Sequence, residues 1–247
     1  MSFCLGITVR EGLVAIADTR IISGNEVVVA RKMRTFNLGT MSFFVLCSGL
    51  RSVSDKVLTY FEERLLGLEG PYDRLFKVVN ALAEHIRDVA REDRLALIEG
   101  GLQFNTHLLV GGQCASDRAH HLYLVYPEGN WVEVSEESPY QIIGSPGYGK
   151  PLLDRTLEFD DPMKFAFKVG CLAFDSTRVS AADVDFPIDV ALYPRDSFHV
   201  VAHRFQEADM HKVTHWWQSR LRQSVNGLPS QWLEALFEQV APERMPT

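Results

Sequence analysis

A serine directly after the initiator methionine, an aspartate at position 18 and a lysine at position 32 form a set that could carry nucleophilic chemistry. Initiator Met is usually removed when the next residue is as small as Ser, which would expose Ser2 with a free α-amine. Such an amine has a pKa near ~7.7 and can exchange protons with its own hydroxyl at neutral pH. Nucleophile and proton acceptor would then belong to one residue. Asp18 and Lys32 would add a charge pair beside it. A lysine near a cationic amine and next to an aspartate can serve as a base, so either Lys32 or the α-amine could take the Ser2 proton. Taken singly these residues mean little, because Ser after Met is common.

Two other constellations fail on chemistry. Gly144-Ser145-Pro146-Gly147-Tyr148-Gly149-Lys150-Pro151 approaches a phosphate-binding loop, but its last position is Pro, with no hydroxyl for Mg²⁺ and no N–H for phosphate. A strand-to-helix turn explains it better. His211 and His215 are four apart on a helical pattern after Glu207, yet Lys212 stands where a zincin needs its glutamate. A solvated or interface helix face is the simpler reading. His120 and His121, and His199 and His203, read as surface or strand-pairing residues. Trp216, Trp217 and Trp232 fit either core or subunit contacts, and exposure would favour an interface.

Alternation places the first candidates. Residues 2–9 put Phe3, Leu5, Ile7 and Val9 on one face and Ser2, Cys4, Gly6 and Thr8 on the other, a strand with one bulky and one small face. A tight turn at Arg10-Glu11-Gly12 leads to a nearly all-apolar strand, 13–17, that ends at Asp18 and suits a strand covered on both faces. The turn returns Asp18 beside Ser2. After a loop at Ser23-Gly24-Asn25, short strands are expected at 31–37, beginning near Lys32, and at 41–47. Helical faces follow at Val57, Leu58, Phe61 and Leu65, then at Leu75, Val79, Leu82 and Ile86, with Pro71 between them. Strands are expected at 106–112, 121–126 and 131–134, helices at 147–157 and 162–174, and strands at 188–193 and 198–203. Helices over 210–225 and 231–240 close the chain. Strands grouped between helix pairs suggest a layered α+β sandwich.

The 247 residues and their 46% hydrophobic content support a sizeable core, as one domain or two. A net charge of −7 argues against a nucleic-acid partner. Apolar runs fall well short of the ~18 residues a spanning helix needs. The first residues lack the basic region of a secretory signal. Cys4, Cys47, Cys114 and Cys171 are far apart and read as buried thiols in a reducing compartment, so a cytoplasmic location is expected. Cys4 and Cys47 are expected near the cleft.

In chain order, Ser2, Gly12-Leu13-Val14, Asp18-Thr19-Arg20, Arg31-Lys32-Met33-Arg34-Thr35-Phe36 and Cys47-Ser48-Gly49 resemble the proteasome β-type subunits, which are N-terminal-nucleophile hydrolases. Tyr148-Gly149-Lys150-Pro151-Leu152-Leu153-Asp154-Arg155, Phe174-Asp175-Ser176-Thr177, Pro187-Ile188-Asp189-Val190 and Tyr193-Pro194-Arg195-Asp196-Ser197 extend the likeness. It is nearest to the bacterial homologues, the Anbu-type and β-proteobacterial subunits, and it covers residues 1 to about 200. The ordered combination is specific, although each piece alone is weak.

The resemblance implies a four-layer αββα sandwich, assembled with copies of itself into rings or helical stacks that enclose hydrolysis of peptides or unfolded proteins. It implies Ser2 as the nucleophile, at a position that is often Thr, and Asp18 and Lys32 as the supporting pair. Gly49 would give its N–H to the oxyanion hole, a contact worth ~3 kcal/mol. Ser145 would lie near the terminal amine, and Asp175 would be the later acid. Ile21, Ala30 and Cys47 would line a neutral first substrate pocket. One departure stands out: Arg178 occupies the place, three residues after the acid, where the family has a serine. No metal, nucleotide, cofactor or membrane is called for. The chain is read as a single domain, 1–247, with 206–247 as packing or assembly helices. The alternatives are a non-catalytic scaffold or binding subunit of the same fold, and an amidase using the same serine on a small molecule.

Overall fold

The computed structural model describes residues 2–23, 25–67 and 72–240, so Met1, Pro71 and the chain end after 240 lie outside the described residues. The chain divides into two compact units, Met1–Asp209 and Met210–Thr247. The α+β expectation holds, with antiparallel sheets and helices throughout.

The first unit is organised around two five-stranded sheets. One comprises β1 (Phe3–Val9), β2 (Gly12–Asp18), β10 (Tyr140–Gly144), β11 (Ile188–Pro194) and β12 (Val201–Phe205), in the order β10-β1-β2-β11-β12. The other runs in chain order through β5 (Met33–Leu38), β6 (Met41–Gly49), β7 (Thr106–Cys114), β8 (His121–Val125) and β9 (Trp131–Glu133). A separate hairpin joins β3 (Arg20–Ser23) to β4 (Glu26–Val29). All pairings in the five-stranded sheets are antiparallel.

The two faces of β1 explain how these sheets meet. Its small-residue face allows close approach: a Cβ on Gly6 would come within 3.0 Å of the Leu122 side chain on β8. Cys4, Leu13, Ala15 and Ala17 from the first sheet pack with Phe44, Leu46, Leu109 and Leu122 from the second. On the opposite face, Leu5, Ile7 and Ile16 meet Gly170 of α4 (Met163–Ser180). Hence β2 is buried along its whole length, as its apolar run predicts. The short α3 (Lys150–Thr156) packs on α4.

α1 (Arg51–Leu66) and α2 (Leu75–Glu99) cover the outer face of the second sheet. Val53, Val57, Leu58 and Phe61 of α1 and Val78, Val79, Leu82 and Ile86 of α2 join Phe43, Val45 and Val110 in one core. Each fully buried side chain of this kind contributes ~1.5–3 kcal/mol relative to exposure. The Asp117 carboxylate accepts the Leu75 N–H at 2.9 Å and so caps α2.

Several sequence expectations need correction. The first strand starts at Phe3 rather than Ser2, and Lys32 precedes β5 by one residue. At the expected loop 23–25, Ser23 instead ends β3 and pairs with Glu26 of β4, while Gly24 lies outside the described residues. α4 continues past Phe174 to Ser180. The expected strand at 198–203 begins only at Val201, because Asp196 and Phe198 take left-handed backbone (φ 58° and 47°). The Ser42 hydroxyl and Asn37 side chain hold the carbonyls of Phe198 and Val200 instead. His120 is buried, not superficial, and its Nε2 contacts the Val9 carbonyl at 2.9 Å.

The second unit carries most of α5 (Glu207–Asn226) and all of α6 (Gln231–Glu238). Trp216 and Trp232 are exposed, as are Leu236 and Phe237. Among the described residues no helix is long and apolar enough to cross a membrane.

Candidate active site

The candidate residues gather where strands begin and end. Ser2 immediately precedes β1 and is buried. The tight turn at Arg10 and Glu11 sets the register of β1 against β2, pairing Cys4 with Ala17. Phe3 therefore lies opposite Asp18 and donates its N–H to Asp18 Oδ1 at 2.8 Å. From the other sheet, Cys47 N–H donates to the Lys32 carbonyl at 2.9 Å, which anchors Lys32 at the entry of β5.

Lys32 Nζ then reaches across to Asp18, donating to Oδ1 at 2.8 Å and Oδ2 at 2.7 Å. Its third proton goes to the Arg20 carbonyl at 2.7 Å. Asp18 is fully enclosed and Lys32 is only 7% exposed, so neither charge has water as an alternative partner. Burial pushes the Asp18 carboxyl above its ordinary range. The Lys32 ammonium and the N–H groups of Phe3 and Arg20 pull the other way, the latter at 3.1 Å. Four donor contacts on one carboxylate make the ionised form the one this site is built around.

Ser145 is tied directly to the terminus, donating its N–H to the Ser2 carbonyl at 2.7 Å. The register of β1 and β10 pairs Phe3 with Gly144. Gly144 has φ 101°, and a Cβ there would sit 2.0 Å from the Ser2 carbonyl oxygen. Only glycine lets the two chains approach so closely. Sequence reasoning passed over Gly144 and the backbone of Arg20, and a glycine directly before Ser145 was the one available signal for the former.

Gly49 ends β6 with φ 123°, and a Cβ there would clash with the Asn105 carbonyl at 2.3 Å. The next N–H, of Leu50, donates to that carbonyl at 2.7 Å. Strand alternation turns the Gly49 N–H to the same edge as that of Cys47, beyond the point where β5 begins.

Of the three pocket candidates, Ile21 sits on β3 opposite Val28. Ala30 donates its N–H to the Thr19 carbonyl at 2.8 Å. Cys47 faces the α1–α2 core, only 8% exposed, and burial pushes its thiol up to about 12. Cys4 does not line a cleft: it is fully buried, with Sγ 3.4 Å from the Cys47 carbonyl. All four cysteines are buried free thiols.

Asp175 lies buried on α4 and pairs with Arg178 one turn later at 3.2 Å. The serines flanking Arg178 do not replace the missing one. Ser176 donates to the Leu172 carbonyl of its own helix at 2.9 Å, and Ser180 is exposed at the helix end. A groove of about 530 Å³ on the α1–α2 face, lined by Tyr60, Arg64, His85, Arg91 and Glu92 among others, includes none of the residues singled out. Among the described residues no cluster of three or more His, Cys, Asp or Glu could hold a metal. The phosphate-loop lookalike connects antiparallel β10 to α3, a strand-to-helix turn.

No family model and no curated protein matches the sequence significantly. Solved structures do match it along nearly the whole chain. Anbu, the ancestral β-subunit, from Yersinia bercovieri superposes with a TM-score of 0.85 at 28% identity, over 92% of this chain and 97% of that one. The helical assembly of the Anbu complex from Pseudomonas aeruginosa gives 0.86 at 29%, with the same coverages of 92% and 97%. A Gly-1 mutant of Anbu from Hyphomicrobium sp. strain MC1 gives 0.84 at 28%, over 93% and 98%. This agreement in fold and length, at 28–29% identity, makes the chain similar to the Anbu proteins and consistent with an Anbu-type proteasome homologue.

Proposed function

We propose that this chain is a proteasome-like peptidase subunit that cleaves peptide bonds with Ser2 as an N-terminal nucleophile, once Met1 has been removed. The observation that carries the reading is the buried Asp18–Lys32 pair, bonded to the first N–H of the strand that Ser2 opens. Such a pair is costly to bury, and its place beside the chain terminus suits a reaction centre.

In this mechanism Ser2 Oγ attacks the scissile carbonyl. All three Lys32 Nζ protons already have acceptors, which leaves the Ser2 α-amine to take the hydroxyl proton. Lys32 and Asp18 set the field around that exchange. The Gly49 N–H would donate to the oxyanion, a contact worth ~3 kcal/mol. The α-ammonium returns its proton to the leaving amine, and water then hydrolyses the acyl-enzyme with the amine again as base. Ser145 would steady the terminus and Asp175 would support it from α4. Ile21, Ala30 and Cys47 would form a neutral pocket for the substrate side chain.

The architecture that goes with this chemistry is the four-layer αββα sandwich of N-terminal-nucleophile hydrolases. Helix cores on the outer faces of the two packed sheets favour it. We read residues 1–247 as one proteasome β-type domain, with 206–247 serving assembly. The Pseudomonas aeruginosa Anbu complex is a helical assembly, and we extend self-association to this chain, acting on peptides or unfolded protein in the cytoplasm.

Intact-mass analysis followed by peptide hydrolysis by wild type and Ser2→Ala tests the reading. Loss of Met1, with turnover in wild type and none in Ser2→Ala, is the expected result. Equal turnover in the two proteins, or a retained Met1 in active protein, removes Ser2 as the nucleophile.

A further inference from the structure

Arg178 stands where the family resemblance expects a serine, and its surroundings are unusually charged for a half-buried position. Its Nε lies 3.2 Å from Asp175 Oδ1, and its Nη1 lies 4.0 Å from Asp185 Oδ1. Asp185 sits in the segment between α4 and β11, and its other oxygen receives Arg20 Nη1 at 2.6 Å. Asp185 is also fixed from behind, accepting the Phe186 N–H at 2.9 Å. The Arg178 guanidinium lies over the Phe186 ring, 5.1 Å from its centre. Phe186 packs edge-on against Phe174, and Phe174 against Phe3, the residue after Ser2.

Arg20 closes the circuit through its main chain. Its N–H donates to Asp18 Oδ2 and its carbonyl accepts from Lys32 Nζ. We infer that Arg178 is a positioning residue: it joins Asp175 of α4 to Asp185, and through Arg20 it holds the peptide that brackets the Asp18–Lys32 pair. Three elements of the fold are locked by alternating charges, acid–base–acid–base, ending at the pair.

The chemistry of the position requires the fork of a guanidinium. Arg178 is one partner of the buried Asp175 carboxylate, at i,i+3 spacing. One guanidinium can address two carboxylates and stack on a ring at once, which a lysine ammonium cannot do. A serine could donate to Asp175 but could not reach Asp185. The aromatic column gives the same linkage a second, apolar strand running to the start of β1.

The proposal rests on the Ser2 reading only for its catalytic consequence, so the experiment separates the two. Wild type, Arg178→Ala, Arg178→Lys and Asp185→Asn are compared by amide hydrogen exchange in the segment holding Arg20. The same samples are tested for the pH profile of Ser2 acylation by a β-lactone, read by mass spectrometry. Arg178→Ala and Asp185→Asn should each speed exchange at Arg20, lower acylation about 10-fold and displace the pH profile, since a misplacement of ~1 Å by a distant change can cost up to about 100-fold. Arg178→Lys, which retains the charge without the fork, should fall between them and wild type. Folded Arg178→Ala with wild-type exchange at Arg20 and a wild-type pH profile overturns the proposal. Faster exchange in both variants, with no acylation of Ser2 even in wild type, upholds the linkage and overturns the nucleophile.

Discussion

Replacing Lys32 by Met should add to the protein a loss of stability that grows as the solution becomes basic. The substitution keeps the volume of the stem and removes the ammonium, with its three bonds to Asp18 and Arg20. Asp18 is left fully enclosed with, among the described residues, the N–H groups of Phe3 and Arg20. Removing one member of a buried pair costs about 3–5 kcal/mol when the other must stay charged. For a domain of this size that corresponds to a fall in Tm of about 10 °C. Asp18 has a second choice, which is to bind a proton. Burial already pushes its carboxyl upward, and the loss of Lys32 removes the largest opposing influence. A carboxyl whose folded pKa is raised gives stability that is present below its unfolded value and lost as pH rises through the folded value. Lys32→Met should thus be close to wild type below about pH 4 and carry the full penalty near about pH 8. Lys32→Met/Asp18→Asn, with no carboxylate to titrate, should lose the pH dependence. Urea denaturation of the three proteins at both pH values is the assay. A single variant within about 1 kcal/mol of wild type at the basic pH, or equally destabilised at both, would refute the account of a desolvated, mutually dependent pair.

Gly144→Ala should displace the chain terminus, because its Cβ would lie 2.0 Å from the Ser2 carbonyl oxygen; acylation of Ser2 should drop at least about 10-fold while the protein stays folded, and unchanged acylation would contradict the close approach. Burial lowers the His120 pKa, so as pH falls through the unfolded value the unfolded chain takes up a proton that the folded protein refuses, and stability should decline from neutral pH towards acid. His120→Gln should decline less in the same titration, and parallel curves would exonerate the histidine. Iodoacetamide should leave all four cysteines of the native protein untouched and modify them in guanidinium, since burial pushes Cys47, Cys114 and Cys171 up to about 12 and Cys4 well above its ordinary range. Rapid stoichiometric labelling of the native state would contradict that.

What the sequence makes legible is local. The alternation of β1, the apolar run of β2 and the short turn between them suffice to bring Asp18 beside the start of the chain, and the register agrees. β10 escapes that kind of reading because its few residues do not alternate and its partner lies more than a hundred residues away. The β3–β4 hairpin escapes it for the opposite reason: Val27, Val28 and Val29 are all exposed, so no face is marked by burial. α4 outruns the expected 174 because its last turn, Asp175 to Ser180, is mostly polar and carries no apolar period. In the fold Asp175 pairs with Arg178 one turn on, and Ser176 and Thr177 return their hydroxyls to helix carbonyls. The charge linkage from Arg178 to Arg20 joins three separate segments and leaves no periodic trace for a sequence to carry.

The strand order β10-β1-β2-β11-β12 also sets a timetable. β1 and β2 leave the ribosome first, but their outer neighbours, β10 and β11, begin at Tyr140 and Ile188. At ~5–20 residues per second, the opening hairpin waits on the order of ten seconds or more before the sheet can close around it. Ser2 receives its Ser145 contact, and Asp175 its place on α4, only after most of the chain has been made. The β1–β2 hairpin is thus made early and completed late, when most of the first unit is there to enclose it.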